Sequence, residues 1–186
     1  MEGVLKMNEL VKKAQQGDKE AFTELILLLK SDLYKIAKAR MRNDEDIYDV
    51  IQETMIIAFN SIKKLKKVES FKPWIIKILI NTSNNLYKKM NKKNIISLEK
   101  IENYSSLEYS DFDNIEAILD FDFILNNFKY EDRIIVVLYY IEQFTDKEIG
   151  EILKLKENTV KTKRTRIKEK IKKIIKGGQI SYGSIR

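Results

Sequence analysis

A strongly basic segment near the end of the chain holds the side chains best suited to binding a polyanion. Between Lys154 and Lys176 the sequence has eleven Lys or Arg residues and two Glu residues. Cations at this density repel one another unless they meet a polyanion, and nucleic acid is the obvious candidate. A solvated, lysine-rich terminal helix would have the same composition, so the elements that carry the segment must decide between the two interpretations.

Two short helices joined by a tight turn are predicted to carry this basic segment. Thr145 and Glu148 have the spacing of a capping box, so a helix should begin there. Its periodic apolar pattern stops at Leu155, and a second helix should open near Glu157. Two helices connected this closely form a helix-turn-helix, which favours nucleic-acid binding over a merely solvated helix.

Helical geometry divides the second helix into an inner and an outer face. With Val160 pointing inward and ~100° of rotation per residue, one group of side chains lies within about 60° of the opposite side. These are Asn158, Thr162, Thr165 and Arg166, with Lys161 at the edge. We expect this face to enter the major groove, with Arg166 as the candidate for a bidentate contact to guanine. Lys163, Lys168 and Lys170 lie on the flanks and should meet phosphates.

Length and charge suggest two small bodies. The chain has 186 residues, 44% of them apolar, which is enough for one domain or two compact ones. The net charge of +7 is distributed unevenly: residues 63–93 carry ten Lys and one Glu, whereas residues 99–132 carry ten acids and two Lys. This alternation indicates two nucleic-acid-binding bodies with an acidic connection between them.

The absence of Cys and His excludes several kinds of chemistry. Disulfides, thiolate or imidazole metal sites, thiol nucleophiles and His-based acid/base catalysis are all ruled out, although an all-carboxylate metal site is not. We therefore expect no enzymatic activity and no cofactor. The N-terminal residues lack the apolar core of a secretory signal, and no apolar run approaches the ~20 residues of a membrane span. These features predict a cytoplasmic protein without membrane insertion.

Four helices are predicted in the first half of the chain: 8–16, 18 to about 41, 45 to about 62, and one that begins near Pro73. Asp18 and Asn43 are placed to cap the second and third helices. The outer side of the third helix carries the polar residues Asp49, Gln52 and Glu53. Acids in the first turn of a helix often only favour its dipole, but these lie beyond it and are a candidate protein-docking edge.

The fourth helix combines an apolar side with a polar and basic one. Amides and lysines on a helix edged by aromatic residues can hold unpaired bases and phosphates of a single strand. We interpret Trp74 as a core residue and leave Phe71 and Tyr87 open between core and surface. Residues 91–113 have no persistent period and are predicted to be a linker, followed by a second helical body at 114–176. The tail, 177–186, is expected to fray.

The order of three motifs resembles bacterial RNA polymerase sigma factors of the extracytoplasmic-function (ECF) group. The motifs are DVIQETMIIAF, SFKPWIIKILINT and FKYEDRIIVVLYYIEQFTDKEIGEILKLKENTVKTKRTRIKEKI. The resemblance implies an all-α fold with a region 2-like domain at 1–90 and a region 4-like helix-turn-helix domain at 114–176, joined by a flexible acidic linker. It also implies a function as an alternative sigma factor that directs promoter-specific initiation.

The resemblance assigns roles to three sets of residues. Asp49, Gln52, Glu53 and Thr54 match the signature that binds the clamp helices of the β′ subunit. Phe71, Trp74 and Asn81 match positions that melt and read the −10 element. Glu148, Ile149, Thr159, Val160 and Lys161 match the region that reads the −35 element. The expected −10 set is Phe71, Lys72, Asn81, Asn85, Lys88 and Lys89. The expected −35 set is Asn158, Thr159, Lys161, Thr162, Lys163, Arg164, Thr165, Arg166 and Lys168.

The expected partners are core RNA polymerase, through the β′ clamp helices and the β flap, promoter DNA, and a cognate anti-sigma factor. Four residues at three places depart from the family pattern: Tyr48 where Glu is usual, Phe128-Lys129 where Leu-Pro is usual, and Arg164 where an apolar Leu is usual. Because Arg164 lies only about 40° from Val160, we expect its stem to follow the core while its head reaches for a phosphate.

Two other functions fit parts of the sequence. A helix-turn-helix regulator that is not a polymerase subunit would explain residues 139–173 but not the acidic docking edge. An RNA-binding or structural adaptor protein would explain the charge blocks alone. Binding to core RNA polymerase would discriminate, because neither alternative requires it.

Overall fold

The computed structural model describes residues 2–41, 43–93 and 123–176. Every regular element within these ranges is helical, as the sequence predicted. The chain divides into two compact units; the first contains the four helices that precede residue 94, and the second contains most of the described residues from 123 onward. The remainder of the expected linker (94–113), the expected start of the second body at residue 114 and the tail 177–186 lie outside the described residues.

The first unit consists of α1 (Glu2–Gln15), α2 (Lys19–Lys38), α3 (Asp44–Ser61) and α4 (Phe71–Lys93). The start of α1 precedes the predicted start by six residues, because no proline interrupts this segment and a helix fixed by packing extends at little cost. At its other end, α4 continues three residues into the segment predicted as a linker.

The predicted caps of α2 and α3 are present. Gly17 has a φ of 100°, a left-handed conformation that glycine adopts without strain, and it ends α1. Asp18 Oδ1 accepts a hydrogen bond from the Ala21 amide at 2.9 Å, and Asn43 Oδ1 accepts one from the Asp46 amide at 2.8 Å. These contacts satisfy amides that the helices leave free, which fixes where α2 and α3 begin.

An apolar core lies between the four helices of the first unit. Its fully buried large side chains are Leu25, Leu33, Ile36, Ile47, Ile62, Phe71, Ile75, Ile76 and Leu79. Each such side chain stabilises the fold by roughly 1.5–3 kcal/mol relative to an exposed one. The core uses only the inner face of each helix, so the outer faces of α3 and α4 remain available for binding.

The connection between α3 and α4 is anchored on α1. It contains two 3₁₀ turns, Ile62–Lys64 and Val68–Ser70. The side-chain amide of Gln15 donates hydrogen bonds to the carbonyl oxygens of Ile62 (3.1 Å) and Leu65 (2.7 Å). This basic connection therefore has a fixed backbone at its first turn.

The second unit contains the helix-turn-helix. A helical segment at 123–126 precedes α5 (Tyr130–Val136), which continues as a π-helical turn, Val137–Ile141. Two further helices follow, α6 (Asp146–Leu153) and α7 (Glu157–Lys176). The bounds of these two helices agree with the predicted helix-turn-helix.

The turn between α6 and α7 depends on Gly150. A Cβ atom at this position would lie 2.8 Å from the carbonyl oxygen of Leu155. The Leu155 amide donates back to the carbonyl oxygen of Gly150 at 2.9 Å, and Lys154 takes a left-handed φ of 57°. Glycine is therefore required here because the returning backbone approaches α6 too closely for a side chain.

The predicted capping box begins α6. The carboxylate of Glu148 accepts hydrogen bonds from the amide and the hydroxyl of Thr145, at 2.8 and 2.7 Å, and the Glu148 amide donates to the Thr145 hydroxyl at 3.3 Å. These hydrogen bonds lower the pKa of Glu148 below its ordinary value, the bond from the Thr145 amide contributing most.

Candidate functional site

The outer edge of α3 brings together the three predicted docking residues. Asp49, Gln52 and Glu53 are all exposed, and they lie on consecutive turns of the same helix. Thr54, the next residue of the motif, points the other way: it is buried and its hydroxyl donates to the carbonyl oxygen of Val50 at 2.7 Å. Asp49, Gln52 and Glu53 are therefore free to bind a partner, whereas Thr54 belongs to the core.

An exposed apolar residue lies in the middle of this edge. Ile56 is 62% exposed, and helical geometry places it between Gln52 and Glu53, one turn further along α3. Phe59, one turn beyond, is also exposed at one side and contacts the ring of Phe22, with 5.2 Å between ring centroids. Apolar side chains surrounded by polar ones are typical of protein-binding surfaces. Sequence reasoning missed Ile56, although its i+4 spacing from Gln52 could have revealed it.

The outer face of α4 carries four of the six residues predicted to hold the −10 strand. Asn81, Asn85, Lys88 and Lys89 are all exposed. Trp74 is only partly buried, and its spacing of seven and eleven residues from Asn81 and Asn85 places it on the same stripe. We interpreted Trp74 as core, and the structure places it partly at the surface instead.

The other two predicted −10 residues are not arranged as expected. Phe71 is 0% exposed and lies against Trp74, with 5.9 Å between ring centroids, so its ring cannot stack on a base in this conformation. Its i+4 spacing to Ile75 is a signal that favours the core for Phe71, although the sequence alone left the residue open. Lys72 Nζ forms an ion pair with Asp32 Oδ2 of α2 at 2.7 Å. Its charge is thereby compensated within the fold.

The outer face of α7 carries seven of the nine predicted −35 residues. The exposed residues are Asn158, Thr159, Lys161, Thr162, Thr165, Arg166 and Lys168. The hydroxyls of Thr162 and Thr165 donate to backbone carbonyls one turn earlier, at 2.8 and 3.0 Å, so their protons are engaged and their oxygen atoms remain as acceptors. Within the described part of the chain, Arg166 and Lys168 form no ion pair. Lys161 is likewise exposed and forms no ion pair among the described residues, so all three cations are available to DNA.

The remaining two −35 candidates are engaged inside the second unit. Lys163 Nζ lies 2.7 Å from Asp132 Oδ1. Arg164 Nε and Nη2 donate to the two carboxylate oxygens of Asp146 at 2.8 and 2.9 Å. The expectation that the guanidinium of Arg164 reaches outward for a phosphate is therefore corrected. This group instead binds the carboxylate of Asp146, at the start of α6. Hydrogen bonding to Asp146 raises the pKa of Arg164.

The described residues contain no cluster of acidic, His or Cys side chains that could hold a metal ion. Across the same ranges, no helix has both the length and the apolar character needed to cross a bilayer. The features that stand out are the exposed helix faces and the helix-turn-helix. A basic helix-turn-helix of this kind is typical of DNA-binding transcription proteins.

Comparison with known proteins gives the family. The family model "Sigma-70 region 2" matches residues 25–93, and "Sigma-70, region 4" matches residues 121–171. The chain is 31% identical over 154 residues to RNA polymerase sigma factor SigV of Bacillus subtilis (strain 168), covering 81% of this chain and 89% of SigV. It is 26% identical over 176 residues to ECF RNA polymerase sigma factor SigW of the same organism, covering 88% and 93%.

Two solved structures have the same fold. One is CnrH in complex with the cytosolic domain of CnrY, with a TM-score of 0.67 and 18% identity over 92% of this chain and 98% of that chain. The other is the sigma factor RpoE in complex with the anti-sigma factor NepR from Bartonella quintana, with a TM-score of 0.64 and 20% identity over 83% and 96%. The chain belongs to the ECF group of RNA polymerase sigma factors, and it is an alternative sigma factor acting in transcription initiation.

Proposed function

We propose that this sigma factor uses three separate surfaces: the outer edge of α3 for core RNA polymerase, the outer face of α4 for the −10 element, and the outer face of α7 for the −35 element. The observation that carries the proposal is that each surface is exposed on a helix whose opposite face lies in an apolar core. Residues 1–90 thus act as the polymerase-binding and −10 body, and residues 114–176 as the −35 body.

The α3 edge is proposed to bind the β′ clamp helices. Asp49, Gln52 and Glu53 supply polar contacts around Ile56, whose burial against the partner would release water from an apolar surface. Replacing Asp49 and Glu53 with Ala should weaken binding to core RNA polymerase without changing thermal stability. The matched control is a double substitution of Glu9 and Glu20, two exposed acids on α1 and α2. If the Asp49/Glu53 variant co-eluted with core enzyme as well as the unsubstituted protein does, this role would be contradicted.

The α4 face is proposed to hold the unpaired non-template strand of the −10 element. The amides of Asn81 and Asn85 can bond base edges, and Lys88 and Lys89 can contact phosphates. Tyr87 is exposed on α4 but lies off this stripe, and with Phe71 in the core, Trp74 is the aromatic residue that shares the stripe with Asn81 and Asn85. Its partial exposure supports stacking on one base.

Permanganate footprinting tests the α4 proposal. Polymerase carrying the Asn81→Ala variant should bind the promoter and show fewer reactive thymines, because the melted strand is held less well. Gln16→Ala, at an exposed side-chain amide in the turn after α1, is the control and should leave melting unchanged. Normal promoter opening by polymerase carrying Asn81→Ala would contradict a role for Asn81 in holding the melted strand.

The α7 face is proposed to read the −35 element. Asn158, Thr162, Thr165 and Arg166 are the residues assigned to base edges, and Lys161 and Lys168 to phosphates. The engagement of Lys163 and Arg164 within the fold argues against a phosphate role for these two cations. Contact with the β flap is a further expected function of this unit.

Regulation by an anti-sigma factor is the remaining part of the proposal. It is motivated by RpoE, which has the same fold and was solved with the anti-sigma factor NepR. We infer that the cognate antagonist competes with core polymerase for this chain, in the compartment where polymerase acts. Added antagonist should lower the amount of sigma factor that co-elutes with core enzyme. Simultaneous binding of both proteins would contradict competition.

A further inference from the structure

The inner edge of α7 holds a bidentate ion pair. Arg164 Nε and Nη2 lie 2.8 and 2.9 Å from the two carboxylate oxygens of Asp146, and the two side chains are 20% and 16% exposed. The Arg164 guanidinium also lies over the ring of Tyr139, 4.5 Å from its centroid. Planar, two-point contacts of this kind fix geometry as well as compensating charge.

This cluster joins three elements of the second unit. Asp146 is the first residue of α6, Tyr139 lies in the π-helical turn that follows α5, and Arg164 lies two turns into α7. Thr162 and Arg166, whose side chains are exposed, each lie two positions from Arg164 on the same helix. Any rotation of α7 about its axis would therefore break the paired hydrogen bonds and move the outward side chains together.

We propose that Arg164 is a positioning residue for −35 recognition. Its guanidinium stays on Asp146 when DNA is bound, and the pair fixes the rotation of α7 so that its outward side chains meet the base edges. Because Asp146 already compensates its charge, Arg164 adds nothing to the phosphate contacts. This inference rests on the proposed role of α7 as the −35 reader.

The competing possibility is that Arg164 leaves Asp146 and binds a phosphate in the complex. That movement would leave a carboxylate that is only 16% exposed without its cation. It would also remove the cation from the Tyr139 ring. The two possibilities predict different numbers of cations in contact with phosphates. Each such cation releases counterions from the DNA, so the salt dependence of the binding constant counts them.

The first experiment measures binding to a promoter fragment at several salt concentrations, with the full chain bound to core RNA polymerase. The test variant is Arg164→Leu combined with Asp146→Leu, which removes one positive and one negative charge and leaves an apolar pair. The control is Lys168→Leu, one turn further along α7 and exposed. The control should flatten the salt dependence by about one unit of slope. The double variant should leave the slope unchanged, and a loss equal to that of the control would overturn the proposal.

The second experiment tests positioning on a panel of −35 variants. Asp146→Asn keeps the shape of the side chain but weakens the pair, so preference for the cognate element should fall on the order of threefold to tenfold. Asp146→Glu retains the carboxylate and should restore part of the preference. Full discrimination by Asp146→Asn would overturn the positioning role.

The two proposals fail in different ways. If α7 is not the −35 reader, the unsubstituted protein itself will not distinguish the −35 variants, and both proposals fall. If only the positioning role is wrong, the unsubstituted protein will discriminate and the Asp146 variants will match it. Thermal unfolding of the DNA-free chain checks that each variant is folded.

Discussion

The two units of this sigma factor stabilise their binding helices differently. In the first unit, α3 is held by the apolar side chains of its inner face, while the proposed docking residues Asp49, Gln52 and Glu53 are exposed; α4 adds one ion pair, between Lys72 and Asp32, to its apolar face. In the second unit, α7, the proposed −35 reader, is held by two of its own cations as well as by its apolar face: Lys163 binds Asp132 and Arg164 binds Asp146. On α3, the residues proposed to bind a partner are therefore different from those that stabilise the fold. On α7, a basic residue can either bind DNA or stabilise the fold.

The largest effect is expected in the core of the first unit. Leu33 is 1% exposed, so Leu33→Ala should destabilise this unit by about 2–5 kcal/mol through lost burial and the cavity it leaves. Substitution of the exposed Asp49 should change stability by less than about 0.5 kcal/mol. Denaturant unfolding of both variants measures the difference, and similar losses at the two positions would break the contrast between core and docking edge.

A smaller effect is expected at the turn of the helix-turn-helix. Gly150→Ala would place a Cβ atom 2.8 Å from a backbone oxygen, so we expect a cost of about 1–3 kcal/mol as α6 and α7 separate. Gly3→Ala is the matched control, since a Cβ there meets nothing within 4 Å and alanine favours the helix. Thermal unfolding should show a loss only at Gly150; equal behaviour of the two variants would contradict the close approach.

The smallest effect on stability is expected at the start of α6. Thr145→Ala removes the hydroxyl of the capping box and should cost on the order of 1 kcal/mol. Because the folded state lowers the pKa of Glu148 below its ordinary 4.5, this carboxylate stabilises the fold above that pH and loses its contribution as pH falls through the lowered value. Glu148→Gln should remove this part of the acid dependence in an unfolding titration. An unchanged profile would show that the cap does not depend on the charge of Glu148.

Local signals in the sequence predicted much of this molecule. Each of the caps at Asp18, Asn43 and Thr145 accepts a hydrogen bond from the amide of the residue three positions later, and the structure contains all three hydrogen bonds. The exposure of Asp49, Gln52 and Glu53 followed from helical periodicity alone. Short-range rules suffice for these features because both partners lie on one helix or its flank.

The roles of individual cations could not be predicted in the same way. Lys163 pairs with a residue 31 positions away and Arg164 with one 18 positions away. A helical wheel gives the direction of each side chain but not the carboxylate that packs beside it. Phe71 and Trp74 illustrate a related limit: both lie near the apolar stripe of α4, and only the packing of the whole unit determined which one is fully buried.

The most direct test of the account is promoter binding by the polymerase-bound protein across a panel of −35 variants at several salt concentrations. Arg166→Ala should cost about 1–3 kcal/mol on the cognate element and relax the preference at one base pair. Lys168→Ala should weaken all variants alike and reduce the salt slope by about one. The same uniform loss for both substitutions would show that α7 is only an electrostatic clamp and would contradict its role as the −35 reader.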